Sequence, residues 1–353
     1  MSCSFGEKVK VTIFGQSHSE AIGVVIDGLP AGKKLDFEQI EKFMSRRAPG
    51  KNKFSTARKE ADLPKIISGI ADGVTCGAPL CAVIENGDTR SKDYENLRAV
   101  PRPAHSDFAA FFKHNGFNDI RGGGNFSGRM TAPLCFAGAV CMQFLQDDGI
   151  EIGAHIEKIA GIKDERYDSV NVDFKNVKEK EFPVLDDKQG EKMREKIEQA
   201  RLDADSVGGV IECAVTGLPV GLGEPMFGGV ENVISQAVFA VPAVKGIEFG
   251  SGFDGSDLKG SENNDAFSLS EGKFVTETNN HGGILGGISS SMPVIFRVAM
   301  KPTPSIGKTQ KSVNLITREE TEVCVHGRHD PCVVPRAVPC IEAAAAIAIM
   351  NLR

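Results

Sequence analysis

The sequence predicts an α+β protein, with mixed or antiparallel sheets packed on helices in one compact domain. Three observations carry this. β-Branched runs are frequent and often come as hairpin-like pairs; strands and helices alternate irregularly rather than as a βαβ repeat; and no linker or charge run marks a boundary within the 353 residues. Apolar residues make up 41% and charged residues 25%, near globular averages, so a well-buried core is expected.

The elements follow in order. VKVTIFG and AIGVVIDGLPAG are β-branched runs ended by Gly or Pro, hence strands. DFEQIEKFMSRRAPG opens on an Asp cap, keeps apolar residues at helical spacing and stops at basic residues and Pro-Gly, hence a helix. Its basic end, SRRAPGKNKFSTARK, reads as a loop. LPKIISGIADGVTCGAPLCAVIENGD reads as strand, turn, strand. TAPLCFAGAVCMQFLQDDG is small or apolar on nearly every face and predicts a buried helix. EIGAHIEKIAGI is a strand, and FPVLDDKQGEKMREKIEQARLDADS a charged, exposed helix. GGVIECAVTGLPVGLG reads as a strand pair whose GLPVG echoes GLPAG, a hint of an internal repeat. VENVISQAVFAVPAVKGIEFG predicts a helix up to Pro242 and then a strand; SSSMPVIFRVAMKPTPSI is a strand. PCIEAAAAIAIMNLR is an Ala-rich helix, buried on most sides.

The net charge of −6 argues against a nucleic-acid or anionic-membrane partner. No apolar run reaches the roughly 18–20 residues of a membrane span, and MSCSFGEKVKVTIFG lacks a signal-peptide core. The nine cysteines form no C-x-x-C pair and read as reduced, mostly buried thiols of a cytoplasmic protein. Cys324, Cys332 and Cys340 recur every eight residues beside His326 and His329, but these spacings do not match zinc-binding pairs, so no metal site is expected.

The chemistry concentrates in Gly- and Pro-rich loops. RGGGNFSGRM carries the glycine spacing of a phosphate loop, yet Arg129 and Met130 stand where Lys and Ser or Thr belong. It is either a glycine turn ahead of a helix or a backbone-lined site for an anion or ring. FGQSHSEAIG and VPRPAHSDF each present one histidine, His18 and His105, from a rigid turn, which suits acid–base work. HGRHDPCVVPRAVP holds Arg328, Asp330 and Arg336 between prolines, KPTPSI offers Lys301 and a stiff backbone, and NNHGGILGGISSS is a second glycine loop. An acidic chain that places Arg46, Arg47, Lys53, Arg102, Arg129, Arg328 and Arg336 in such turns is built for a small polyanion.

FGQSHSEAIGVVIDGLPAG, RPAHSDF, RGGGNFSGRMTAP, NNHGGILGGIS, KPTPSI and GRHDPCVVPRAVP occur in the order found in chorismate synthases. The resemblance runs from about Phe5 to the C-terminal helix. It implies a β-α-β sandwich with helices between two antiparallel sheets, and a homotetramer. It also implies a lyase that eliminates phosphate, 1,4-anti, from 5-enolpyruvylshikimate 3-phosphate to give chorismate. The reaction needs reduced FMN, with NADPH or an external flavin reductase as the source of electrons. By resemblance His18, His105 and Asp330 are catalytic. Asn125, Phe126, Ser127, Pro242, Ala243, Gly286, Lys301, Pro302, Thr303, Pro304, Ser305 and Arg328 align with flavin contacts. Arg47, Lys53, Arg102 and Arg129 align with substrate contacts. The chain departs from the family's usual residues at Gln16, Ser19, Ala104, Asn125, Phe126 and Met130. A non-enzymatic flavin- or anion-binding protein on the same scaffold is the competing class.

Overall fold

The structure, a computed structural model, describes residues 3–50, 62–87, 97–175, 177–325 and 330–353. One sheet contains β1 (Ser4–Phe5), β2 (Lys10–Gly15), β3 (Ala21–Asp27), β4 (Lys65–Ser68) and β7 (Leu80–Glu85), in the order β1-β2-β3-β7-β4. The short strands β5 (Ile70–Ala71) and β6 (Val74–Thr75) pair beside it. The other contains β8 (Glu151–Ile159), β9 (Ile162–Lys163), β10 (Gly209–Thr216), β11 (Val244–Phe249) and β16 (Val294–Met300), in the order β11-β16-β10-β8-β9. Three hairpins complete the strands: β12–β13 (Phe267–Ser270 with Lys273–Thr276), β14–β15 (Ile284–Leu285 with Ile288–Ser289) and β17–β18 (Gln310–Val313 with Glu320–Val323). All pairing in both large sheets is antiparallel.

The helices are α1 (Phe37–Arg47), α2 (Asp107–Lys113), α3 (Thr131–Asp147), α4 (Asp187–Leu202), α5 (Val230–Val238), α6 (Gly260–Asn263) and α7 (Val334–Leu352). α3 packs on β2, β3 and β7, α7 packs on β8 and β10, and α1, α3, α5 and α7 pack on one another. Helices thus fill the space between the two sheets, as the resemblance implied. One hydrophobic core runs from Val9 to Met350. Small residues set the helix spacing: a Cβ on Gly138 of α3 would lie 2.3 Å from the Cα of Ala343 in α7. Only residues this small let two helix backbones touch.

The echo between GLPAG and GLPVG has a structural basis. β2, β3, α1, β4, β7 and α3 follow the same order as β8, β10, α5, β11, β16 and α7, and the sheet orders correspond under that pairing. Gly28 follows β3 and Gly217 follows β10, with φ of +85° and +78°. A Cβ on either would strike a carbonyl at 2.1 Å, that of Lys8 just before β2 or of Gly149 just before β8. Each half needs glycine there for one and the same reason.

Four readings of the sequence change. The stretch expected to be a strand pair is one strand, β10, followed by a turn. α5 ends at Val238, ahead of Pro242, because residues 239–243 form a turn that closes on Ala243 at φ +75°. α7 begins at Val334 instead of Pro339: Pro335 fits a first helical turn, and Pro339 continues inside the helix. By length and composition α7 also suffices to cross a membrane, but 83% of that window is buried in the core.

On the second sheet's face opposite the helices, Glu248, Arg297, Glu212 and His155 are register neighbours in a charged row. His155 Nε2 is 2.8 Å from Glu212 Oε2, and its Nδ1 faces Asp164 Oδ2 at 3.4 Å without a well-formed hydrogen bond. The Tyr167 ring caps the imidazole edge-on at 4.6 Å. Although burial opposes the imidazolium, the two adjacent carboxylates, Asp164 and the hydrogen-bonded Glu212, hold the His155 pKa above the ordinary histidine range.

Candidate active site

A cavity of about 560 Å³ lies where loops from both halves meet. Among the described residues it is lined by six cationic side chains, Arg47, Arg102, Arg129, Lys245, Lys301 and Arg336, and one carboxylate, Asp330. Its volume and its mixture of apolar wall and converging polar groups suit a small-molecule site.

The glycine turn explains how the two histidines come together. Gly122, Gly123 and Gly124 have φ of +59°, +85° and +56°, a left-handed run open only to glycine at low cost. A Cβ on Gly122 would sit 2.5 Å from His18 Cε1; one on Gly123 would sit 3.3 Å from His105 Nε2. Two adjacent bare residues therefore give His18 and His105 their places. The Gly124 carbonyl also accepts from the Ser17 amide at 3.0 Å, tying this turn to the one that carries His18. Ser19 stiffens that turn from within, accepting from the Gln16 amide at 2.9 Å.

His105 stands at the entrance of α2, a helix the sequence reading did not find. Its Nδ1 is 2.6 Å from Asp107 Oδ1, and Arg102 approaches the same nitrogen at 3.1 Å. The shorter contact assigns Nδ1–H to Asp107 and leaves Nε2 for a ligand. Arg102 also grips Asp107 through Nε at 2.7 Å and through Nη2 at 2.8 Å, and donates to Ser305 Oγ at 2.9 Å. These bonds hold the Asp107 carboxyl well below the usual range despite its burial. Burial, joined by the Arg102 charge, pushes the His105 pKa down against the pull of Asp107. The neutral imidazole is thereby favoured over the imidazolium.

The arginines are held more tightly than their loops suggested. Arg47 closes α1 as its last residue and donates to Asp62 at 2.6 Å, Thr131 Oγ1 at 3.0 Å and the Gly128 carbonyl at 2.9 Å. Arg129 pairs with the other oxygen of Asp62 and donates to Asn86 Oδ1 at 2.9 Å. The buried Asp62 thus sits between two guanidiniums, which keep its pKa lowered. Arg336 pairs with Asp330 at 2.5 Å and donates to the Arg47 carbonyl at 3.0 Å. Arg46 points elsewhere, to Glu342 at 2.6 Å.

Lys301 joins two strained residues. Its amide donates to the Ala243 carbonyl at 2.9 Å and its ammonium to the Ala104 carbonyl. Ala243 and Ala104 both have positive φ, +75° and +59°. Burial and the nearby Lys245 lower the Lys301 pKa.

The predicted residues map as follows. His18, His105 and Asp330 line this one cavity, as do Arg47, Arg102 and Arg129. So do Asn125, Phe126 and Ser127, then Pro242, Ala243 and Lys301, and finally Thr303, Pro304 and Ser305. Pro302 does not line it and packs toward Gly208. Gly286 is in the β14–β15 turn, also outside the lining. Lys53, Arg328, His326 and His329 lie outside the described residues. Asp62 was missed: it sits in a charged stretch without a motif. Asp107 was visible in RPAHSDF, but its grip on His105 and Arg102 was not. No cluster of three metal-ligating side chains occurs among the described residues.

Fold and cavity together define an α+β enzyme for a small polyanion. The family model described as chorismate synthase matches residues 9–353. A chorismate synthase of Lancefieldella parvula is 47% identical over 365 residues, covering 99% of this chain and 96% of that protein. One from Dehalococcoides mccartyi is 44% identical, covering 100% and 96%. The crystal structure of a chorismate synthase matches with a TM-score of 0.77 at 26% identity, over 99% of this chain and 92% of the other. The chain belongs to the chorismate synthase family. Its activity is that family's carbon–oxygen lyase reaction, the 1,4-anti elimination of phosphate from 5-enolpyruvylshikimate 3-phosphate to give chorismate.

Proposed function

We propose that the cavity binds reduced FMN together with the substrate and that His18, His105 and Asp330 perform the proton chemistry. The observation that carries this is the pair of histidines seated on Gly122 and Gly123 inside a cation-lined cavity. The residues present fit a flavin: the bare glycine backbone admits a flat ring, and Phe126, Val241, Pro242 and Pro304 supply apolar wall beside it. Ser127 and the Lys301 to Ser305 run would hold the ring and its phosphate. When bound, the reduced flavin lends electron density to the allylic system and recovers it, so the reaction has no net redox change.

His105 Nε2 serves the departing phosphate. A phosphate dianion beside it raises the pKa that burial and Arg102 lower, so the imidazole takes a proton as the negative charge arrives. Asp107 keeps the ring oriented during that change. Asp330, held by Arg336, accepts the proton lost from substrate C6, and His18 holds a proton beside the flavin. Arg102 and the Arg47–Asp62–Arg129 cluster supply fixed positive charge for the substrate carboxylates and phosphate. Excluding water protects both the charge stabilisation and the reduced cofactor.

The test is an anaerobic assay with chemically reduced FMN and 5-enolpyruvylshikimate 3-phosphate. Chorismate formation is expected, and its absence rejects the assignment. An arm with NADPH as the only reductant separates intrinsic reduction from an external reductase, which we favour because the G-x-G-x-x-G run from Gly250 to Gly255 follows an antiparallel strand and opens no βαβ unit. We also assign a homotetramer, checked by light scattering, and a cytoplasmic location, in keeping with nine cysteines that form no C-x-x-C pair.

A further inference from the structure

Cys135 on α3 and Cys340 on α7 are free, buried thiols whose Sγ atoms lie 3.7 Å apart. Cys340 lines the cavity and Cys135 stands behind it. One helical turn further along, the same two helices touch at Gly138 and Ala343. The backbones are therefore close enough for side-chain rotation and a small helix shift to bring the sulfurs to bonding distance, about 2.05 Å.

The surroundings divide the labour between the thiols. Cys135 donates a hydrogen bond to Cys340, and Arg47, Thr131 and Arg336 add to it, so the Cys340 pKa is pulled down in spite of burial. The Cys135 thiol is pushed up, chiefly by burial. As a thiol, Cys340 donates to the Arg336 carbonyl at 3.4 Å; as a thiolate it accepts from Cys135. A low-pKa cysteine beside a protonated neighbour is the arrangement of an attacking and a resolving thiol.

We propose that Cys340, in the wall of the active-site cavity, and Cys135, behind it, are an oxidisable dithiol, closed to a disulfide by hydrogen peroxide and reopened by a dithiol reductant. The Cys340 thiolate attacks one peroxide oxygen, and the O–O bond breaks to give Cys340 sulfenic acid and hydroxide. The Cys135 sulfur then attacks the sulfenic sulfur, and the S–O bond breaks to release water. Two thiols lose two electrons, and the peroxide oxygens leave at the level of water. If the cavity holds reduced flavin as proposed above, peroxide from its reaction with oxygen would arise beside the dithiol. Closure draws the Cys340 sulfur away from Arg47 and Arg336 and shifts α7 against α3, which lowers activity.

The experiment titrates reduced, desalted protein with hydrogen peroxide and maps its peptides without reduction, alongside activity. Because the peroxide is added, its outcome does not depend on the flavin assignment. The expected result is a Cys135–Cys340 cross-link at doses that leave the buried Cys141 a thiol. Activity should fall by at least about tenfold in parallel, the scale of a small misplacement of site residues, and dithiothreitol should restore it. Cys135→Ala should keep the activity of the reduced enzyme and show no dithiothreitol-reversible loss. Oxidation of the exposed Cys3 and Cys76 without the cross-link overturns the proposal, as does a cross-link that leaves activity unchanged. Should Cys135→Ala fold poorly, the wild-type cross-link and its correlation with activity decide alone.

Discussion

His105 is half-buried and His155 buried, both lie within 3 Å of a carboxylate, and yet their pKa values shift in opposite directions. His155 lies between Glu212 and Asp164, and these two carboxylates favour its protonated form. At His105 the partner carboxylate is already gripped by Arg102, whose charge also acts on the ring. His155 is sealed beneath Tyr167, whereas His105 keeps Nε2 beside a bare glycine in an open cavity. A buried histidine with a carboxylate is therefore not in itself a catalytic device. A neighbouring cation and an accessible second nitrogen make the difference.

The largest expected effect tests that distinction directly. His105→Ala should lower turnover roughly 10²–10⁴-fold, the range for a lost acid–base group, while flavin titration shows binding nearly intact. Equal loss of flavin binding would refute the role. Next, His155→Ala leaves Glu212 and Asp164 facing each other and should cost about 3–5 kcal/mol of stability in urea denaturation. Its kcat per folded molecule should be unchanged; a large fall there would break the comparison.

A third and smaller effect is the pH dependence of stability. The raised pKa of His155 contributes stability that is complete below about pH 6.5 and lost as pH rises through its folded value. The lowered pKa of His105 has the opposite sign: its contribution is complete above about pH 6.5 and is lost as pH falls toward its folded value. Denaturation curves across this range should lose the alkaline-side slope in His155→Ala and the acid-side slope in His105→Ala. The smallest effect concerns the backbone beside His105. Ala104 holds φ +59°, so Ala104→Gly should stabilise by about 0.5–1 kcal/mol once the flexibility glycine adds to the unfolded chain is subtracted. Thermal unfolding would read it.

Much of this was legible in the sequence, for physical reasons that also mark where legibility stops. α1 announced itself through the Asp36 cap, which accepts from the Gln39 amide as expected, and α3 through small apolar residues on every face. Both histidines stood out because rigid turns flank them. The purpose of RGGGNFSGRM was half visible: glycine was evidently required, but the reason, clearance for two imidazoles far away in sequence, needs the third dimension. Asp62 was illegible because its meaning comes from Arg47 and Arg129, 15 and 67 positions away. Pro339 misled because proline usually ends helices, while inside α7 packing on α1, α3 and α5 outweighs one missing hydrogen bond.

The corresponding halves of the chain carry a kinetic consequence. Each half builds its own sheet and helices from nearby residues, so either can begin to fold while the other is still unstructured. The cavity draws on both: His18, His105 and the glycine turn from the first, Lys301, Asp330 and Arg336 from the second. During synthesis the first half leaves the ribosome with its histidines placed but without the opposing wall. Ligand affinity should therefore arrive abruptly and late, when α7 docks against α3, and binding would report completed folding rather than guide it.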